Sequence, residues 1–152
     1  MLTVADPLRH ARRAGPGRTA VVCGAETVDH RTLHDRAARL VGGLRDLGVQ
    51  RGDRVAVLAL NCHRYLEAYL AIPAGGMVVV PLNTRLAEAE LQAILRDAEP
   101  RVLITDRRGS ELGGLAAEVE HVVELPGGYD ELVAAGRVPP GELGEASVEP
   151  PE

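Results

Sequence analysis

The chain has 152 residues, of which 45% are hydrophobic and 26% charged, and its formal net charge is −5; this describes one globular domain or a piece of a larger one. Phe and Trp are absent, and all 17 strongly basic residues are Arg. Without Lys, neither a Walker A loop, nor a Schiff-base enzyme, nor a kinase phosphate lysine can be built, and an acidic balance without basic–aromatic clusters argues against nucleic acid.

Residues 1–13 mix Arg9, Arg12 and Arg13 with apolar positions and lack the apolar centre of a signal peptide. No apolar run approaches the roughly 18 residues of a membrane span. Two cysteines, Cys23 and Cys62, make no disulfide framework, so a reducing cytoplasm is expected. Residues 19–23 predict a strand, and Gly24-Ala25 turns it into a second at 26–28. Asp29 then caps a helix, because Leu33, Ala37, Leu40, Leu44 and Leu47 step by four and three along one face, and Gly48 ends it. After the turn 51–53, a strand is expected over 54–60 and a helix over 63–74, with Pro73 near its end, where the lost N–H costs least.

Residues 77–80 form an unbroken apolar run, as a strand buried on both faces does. The loop 81–85 leads to a helix at 88–98, stopped by Glu99-Pro100, and to another buried strand at 101–105. A weaker helix near 111–118, a strand at 121–125 and a helix at 129–134 complete the order. Strands alternating with helices imply an α/β fold of βαβ units with a largely parallel sheet. The α/β segment is expected over residues 1–135. Residues 136–152, acidic and rich in Pro and Gly, read as a linker or disordered tail.

Few residues suggest chemistry. His30 and His34 are four apart but have no third ligand at useful spacing, and are read as solvated. Cys62 and His63 follow a strand, where α/β proteins place function; neighbours in sequence seldom face each other, so they are read as a small buried thiol and an exposed helix-start His. The segment Gly15-Pro16-Gly17-Arg18 precedes the first strand and reads as a plain turn. Tyr65 and Tyr69, at helical spacing, read as packing. Arg85 is the strongest candidate. It lies beyond the carboxyl end of the strand 77–80, where a guanidinium suits an anion. The helix behind it already carries Glu88 and Glu90 in its first turn, so Arg85 would have to supply the positive charge. The alternative is a surface ion pair with Glu88 or Glu90.

The runs TAVVCGAETVDHRTLHDRAARL (19–40), RGDRVAVLALN (51–61), YLEAYLAIPAGGMVVVPLNTRL (65–86) and ILRDAEPRVLIT (94–105), in this order and spacing, resemble the opening of AMP-forming acyl-CoA synthetases, the adenylate-forming ligase superfamily. Members activate a carboxylic acid with ATP and then transfer the acyl group from AMP to coenzyme A. The resemblance implies Mg, ATP and CoA as ligands of a complete enzyme, with none bound by this segment alone. It also implies that Arg85, in the segment PLNTRL, contacts a phosphate of CoA. His30 replaces a frequent aromatic residue and Ala74-Gly75-Gly76 a common basic-Ala-Gly run. The superfamily's phosphate loop, with its Lys, has no counterpart in these 152 residues. The chain therefore reads as an N-terminal, non-catalytic fragment of an acid–CoA ligase. The alternative is a split subunit or interaction module that docks on a chain carrying the ATP site. The implied partner is the remainder of the synthetase or a complementary chain. Self-association is expected of strands left uncovered, with no metal bound and no nucleic acid or membrane partner.

Overall fold

The computed structural model describes residues 5–138 and Leu143. It opens with a helix that the sequence patterning does not predict, α1 (Ala5–Ala14). Only Ala5 and Leu8 of α1 are buried, which is too few apolar positions to show a periodicity. Then come β1 (Thr19–Cys23) and β2 (Glu26–Asp29), an antiparallel hairpin turned at Gly24, whose φ of 60° belongs to the left-handed region. Asp29 accepts the Thr32 N–H at 2.7 Å and so starts α2 (His30–Asp46). That hydrogen bond holds the Asp29 carboxyl below its ordinary value.

β3 (Arg54–Leu58), α3 (His63–Ala74), β4 (Val78–Pro81), α4 (Glu88–Ala98) and β5 (Val102–Thr105) follow, then β6 (His121–Glu124) and α5 (Gly127–Ala135). The segment 111–118, expected as a helix, is a pair of 3-10 turns, Gly109–Glu111 and Gly113–Glu118. Gly109 and Gly113 take φ values of 51° and 53°, which right-handed helix cannot continue through. The four later strands form one parallel sheet in the order β4-β3-β5-β6. This is the expected α/β fold of βαβ units.

Both faces of the sheet are covered. Val55 and Val57 of β3, with Val102 and Ile104 of β5, belong to the core under α1, α2, α3 and α5. Ala56, Leu58 and Leu103 face the other way, against Leu91 and Leu95 of α4 and Leu115 of the 3-10 turns. The period of two explains why these strands read as continuous apolar runs. At the edge, Met77 is buried, Val78 is 47% exposed, and Val79 and Val80 are half-buried.

Two devices join α5 to the first half of the chain. In one, the fully buried Glu67 of α3 accepts from Arg36 Nε at 2.7 Å and from the Tyr129 hydroxyl at 3.2 Å. Arg36 also donates to Asp130 at 2.8 Å, and Arg64 grips the same carboxylate at 2.6 and 3.1 Å. The Arg64 hydrogen bond is the main cause of an Asp130 pKa below the usual carboxylate value, with Arg36 adding to it. Burial, and then the adjacent Glu67 charge, push the Tyr129 phenol well above its ordinary value. In the other device, backbones touch. A Cβ on Gly42 would overlap the Arg137 carbonyl, and one on Gly136 would overlap the Arg39 carbonyl. Of the stretch 136–152, only residues 136–138 and Leu143 are described; Leu143 is buried and belongs to the same core as Val55 and Val57. The rest of the expected linker lies outside the described residues.

Candidate functional site: the carboxyl edge of the sheet

In a parallel sheet all carboxyl ends share one edge, and connections that leave in opposite directions open a crevice there. Here β3 sits between β4 and β5, so the chain leaves β3 to one side and β5 to the other. The edge is bordered by the loops after Leu58, Pro81, Thr105 and Glu124. Pro100 and Glu120 lie at the opposite edge, where a groove of about 490 Å³ is lined by Arg96, Arg101 and Glu118. Those guanidinium groups are already engaged, Arg96 with Glu118 at 2.7 Å and Arg101 with Glu120 at 2.8 Å.

Arg85 stands on the carboxyl edge. The Asn83 side chain accepts the Arg85 N–H at 3.0 Å, and the Asn83 carbonyl accepts the Leu86 N–H at 3.2 Å. This Asx turn fixes the backbone and leaves the Arg85 side chain exposed. The two acids expected to compete for it are turned elsewhere. Glu90 accepts the Ala87 N–H at 2.8 Å, capping α4, and Glu88 accepts the Gly114 N–H at 2.7 Å. No carboxylate among the described residues pairs with Arg85.

In the loop after β5, which β3 separates from β4, Asp106 accepts the Leu60 N–H at 2.9 Å and ties the β3 and β5 loops together. Arg107 follows, half-buried, and its Nη2 donates to the Thr84 carbonyl at 3.2 Å. Arg108 is exposed; it donates to the Leu125 carbonyl and lies 3.9 Å from Glu124. The placement rule that singles out Arg85 applies equally to Asp106-Arg107-Arg108 after the buried strand 101–105, a signal not used in reading the sequence.

The other candidates lie apart or play structural parts. His30 is half-buried and His34, only 7% exposed, is buried rather than solvated, 3.5 Å from Asp35. Its position packs among Leu33, Ala37 and Ala38, because the buried stripe of α2 is wider than the step-four pattern shows. Cys62 and His63 exchange their expected places: Cys62 is half-buried as the N-cap of α3, and His63 is buried. Gly15 to Arg18 is a turn, closed by the Arg18 N–H on the Gly15 carbonyl at 3.0 Å. Tyr65 packs against the core, whereas Tyr69 is exposed. No group of three potential metal ligands occurs among the described residues. Nor is any helix among them long and apolar enough to cross a membrane.

Comparison with known proteins gives this edge its context. Residues 8–148 match the family described as AMP-binding enzyme. A feruloyl-CoA synthase of Amycolatopsis sp is 41% identical over 147 residues, which is 96% of this chain and 27% of that protein. A long-chain-fatty-acid–CoA ligase of Thermus thermophilus is 48% identical over 95 residues, covering 59% of this chain and 18% of that protein. The solved structure of unliganded O-succinylbenzoate coenzyme A synthetase from Bacillus subtilis superposes with a TM-score of 0.77 at 26% identity, over 90% of this chain and 28% of that one. The chain thus spans less than a third of each relative. With the family match extending over nearly its whole length, the chain belongs to the AMP-binding, adenylate-forming CoA ligase family and corresponds to an N-terminal segment of its members.

Proposed function

We propose that this chain is the N-terminal part of an ATP-dependent acid–CoA ligase, acting in the cytoplasm, and that its contribution is a phosphate contact for coenzyme A through Arg85. The observation that carries the reading is the exposed Arg85 guanidinium, set beyond the carboxyl end of β4 on an Asx turn, with neither Glu88 nor Glu90 upon it. A free fork of N–H donors on a fixed backbone suits a phosphate, which it can bind by two parallel charge-assisted hydrogen bonds. When bound, coenzyme A supplies the thiol that receives the acyl group. The role of Arg85 is to hold the remote phosphate and so orient the carrier; it takes no part in bond making.

Adenylation requires cations and donors around the α-phosphate. This chain has no Lys and would depend on the remainder of the synthetase for them, with ATP and Mg bound there. On this reading the 152-residue chain alone is non-catalytic and should give no ATP–pyrophosphate exchange with any carboxylic acid. In a ligase reconstituted from this segment and the remainder of such an enzyme, Arg85→Ala should raise the coenzyme A requirement. The loss expected for one charge-assisted phosphate contact is about 1.5–3 kcal/mol. The adenylation half-reaction should be nearly unchanged, and stability altered by no more than about 0.5 kcal/mol. Equal damage to both half-reactions would make Arg85 a structural residue. Exchange by the isolated chain would overturn the division of labour.

A further inference from the structure

We propose that Arg107 is the second guanidinium of the anion site, sharing one phosphate-bearing ligand with Arg85; the inference rests on the coenzyme A reading of Arg85. The sequence places the two residues 22 positions apart, yet the Arg107 side chain reaches the carbonyl of Thr84, the residue directly before Arg85. The Arg107 guanidinium therefore reaches the same backbone turn that carries Arg85.

A comparison within the molecule makes Arg107 distinct. Arg9, Arg12, Arg36, Arg54, Arg64 and Arg101 are also half-buried, and each meets a carboxylate. Arg107 meets none among the described residues; its one side-chain partner there is a neutral carbonyl. A partly desolvated charge without a counterion is costly. The nearest acid in sequence, Asp106, already accepts the Leu60 amide.

The Arg107 backbone is fixed, its N–H donating to the Thr105 hydroxyl at 3.1 Å, and Thr105 is fully buried. The guanidinium has five N–H donors, and a single one is used on Thr84. Arg107 is thus pinned at its backbone and by one Nη2 donor, with its remaining donors unused by any protein group described. An anion carrying several phosphate oxygens, such as the phosphate-bearing end of coenzyme A, matches two such forks; a carboxylate has only two oxygens to offer.

The test uses the 152-residue chain and adenosine 3′,5′-bisphosphate as the probe, with adenosine as the neutral control, in calorimetric or NMR titrations; both guanidinium groups lie in this segment, so this nucleotide fragment should bind it, in contrast to the expectation that the segment alone holds no cofactor. The expected result is bisphosphate binding, weakened roughly tenfold or more by Arg107→Ala and by Arg85→Ala alike. Arg107→Lys keeps the charge but not the fork and should restore part of the affinity. Weakening of binding with rising salt should be less steep in either Ala variant than in the unaltered chain. Melting curves of the variants check that they fold. If Arg107→Ala does not fold, Arg107→Lys and the salt dependence decide. Loss on Arg85→Ala with none on Arg107→Ala or Arg107→Lys overturns this inference and leaves the Arg85 reading standing. Loss on Arg107→Ala alone overturns the shared site and the Arg85 reading together with it. Equal binding of adenosine, or no bisphosphate binding by the unaltered chain, also overturns both.

Discussion

Asp130 is shared by two arginines that come from different helices, Arg36 of α2 and Arg64 of α3. Its pKa is lower in the folded chain than the ordinary 3.8. A carboxyl with a depressed folded pKa gives stability that is complete above its unfolded value and is lost as pH falls through the folded one. Asp130→Asn should therefore melt below the unaltered chain at neutral pH, and the difference should shrink as pH drops below 3.8. Calorimetric or circular-dichroism melts between pH 7 and pH 2 would show it; a constant difference across that range would mean that packing, not charge, is lost. Asp130 is partly exposed, so solvent screening moderates the effect. Glu67 is the harsher site. It is fully buried with Arg36 and Tyr129 as its partners, and removing one partner of a buried pair strands the other.

At the scale of elements, the meeting of α2 with the end of α5 depends on missing side chains. Gly→Ala inside a helix normally gains stability, since Gly costs roughly 0.5–1 kcal/mol relative to Ala. At Gly42 the sign should reverse, because the new Cβ would strike the Arg137 carbonyl, which is backbone and cannot rotate away. Gly42→Ala should lower stability by about 1–3 kcal/mol, as read from urea melts, and a neutral or stabilising result would show that residues 136–138 move aside freely. Such contacts are not legible in a single sequence, where the Gly42-Gly43 pair merely interrupts a helical pattern. Much else was legible. The period-two strands and the α2 stripe follow from local residue order, and βαβ alternation then places Arg85 at the carboxyl edge. α1 was missed because a helix with two buried positions has no stripe, and the 3-10 turns because left-handed glycines interrupt what composition alone reads as helix. The exchange between Cys62 and His63, and the burial of His34, depend on how far each helix sinks into its neighbours, which is a property of the packed layers rather than of spacing. Arg107 was overlooked although it obeys the same edge rule as Arg85.

At the scale of the whole molecule, the described residues form a two-stranded hairpin and a four-stranded sheet with helices on both faces, and β4 and β6 have one ladder partner each. Among the described residues, the outer rims of these two strands have no neighbour, and Val78 on β4 is 47% exposed. Unpaired strand rims bearing apolar side chains invite other strands. We expect the 152-residue chain to associate as its concentration rises and to bind a dye specific for apolar surface, by size-exclusion chromatography with light scattering and by fluorescence. A monomer at every concentration, with no dye bound, would mean that these rims are closed in solution. The carboxylate clamp of Glu67 and Asp130 has a separate consequence in time. Arg36 and Asp130 are 94 positions apart, and synthesis delivers the amino-terminal side first. While a ribosome is still reading codons before 129, α2 and α3 have emerged with Arg36 and Arg64 but without Tyr129 or Asp130. The sheet grows outward from β3, first on one flank and then on the other, and the helical layer over it stays unlocked until the final described helix arrives. Closure of this layer therefore waits until the segment carrying Tyr129 and Asp130 has emerged.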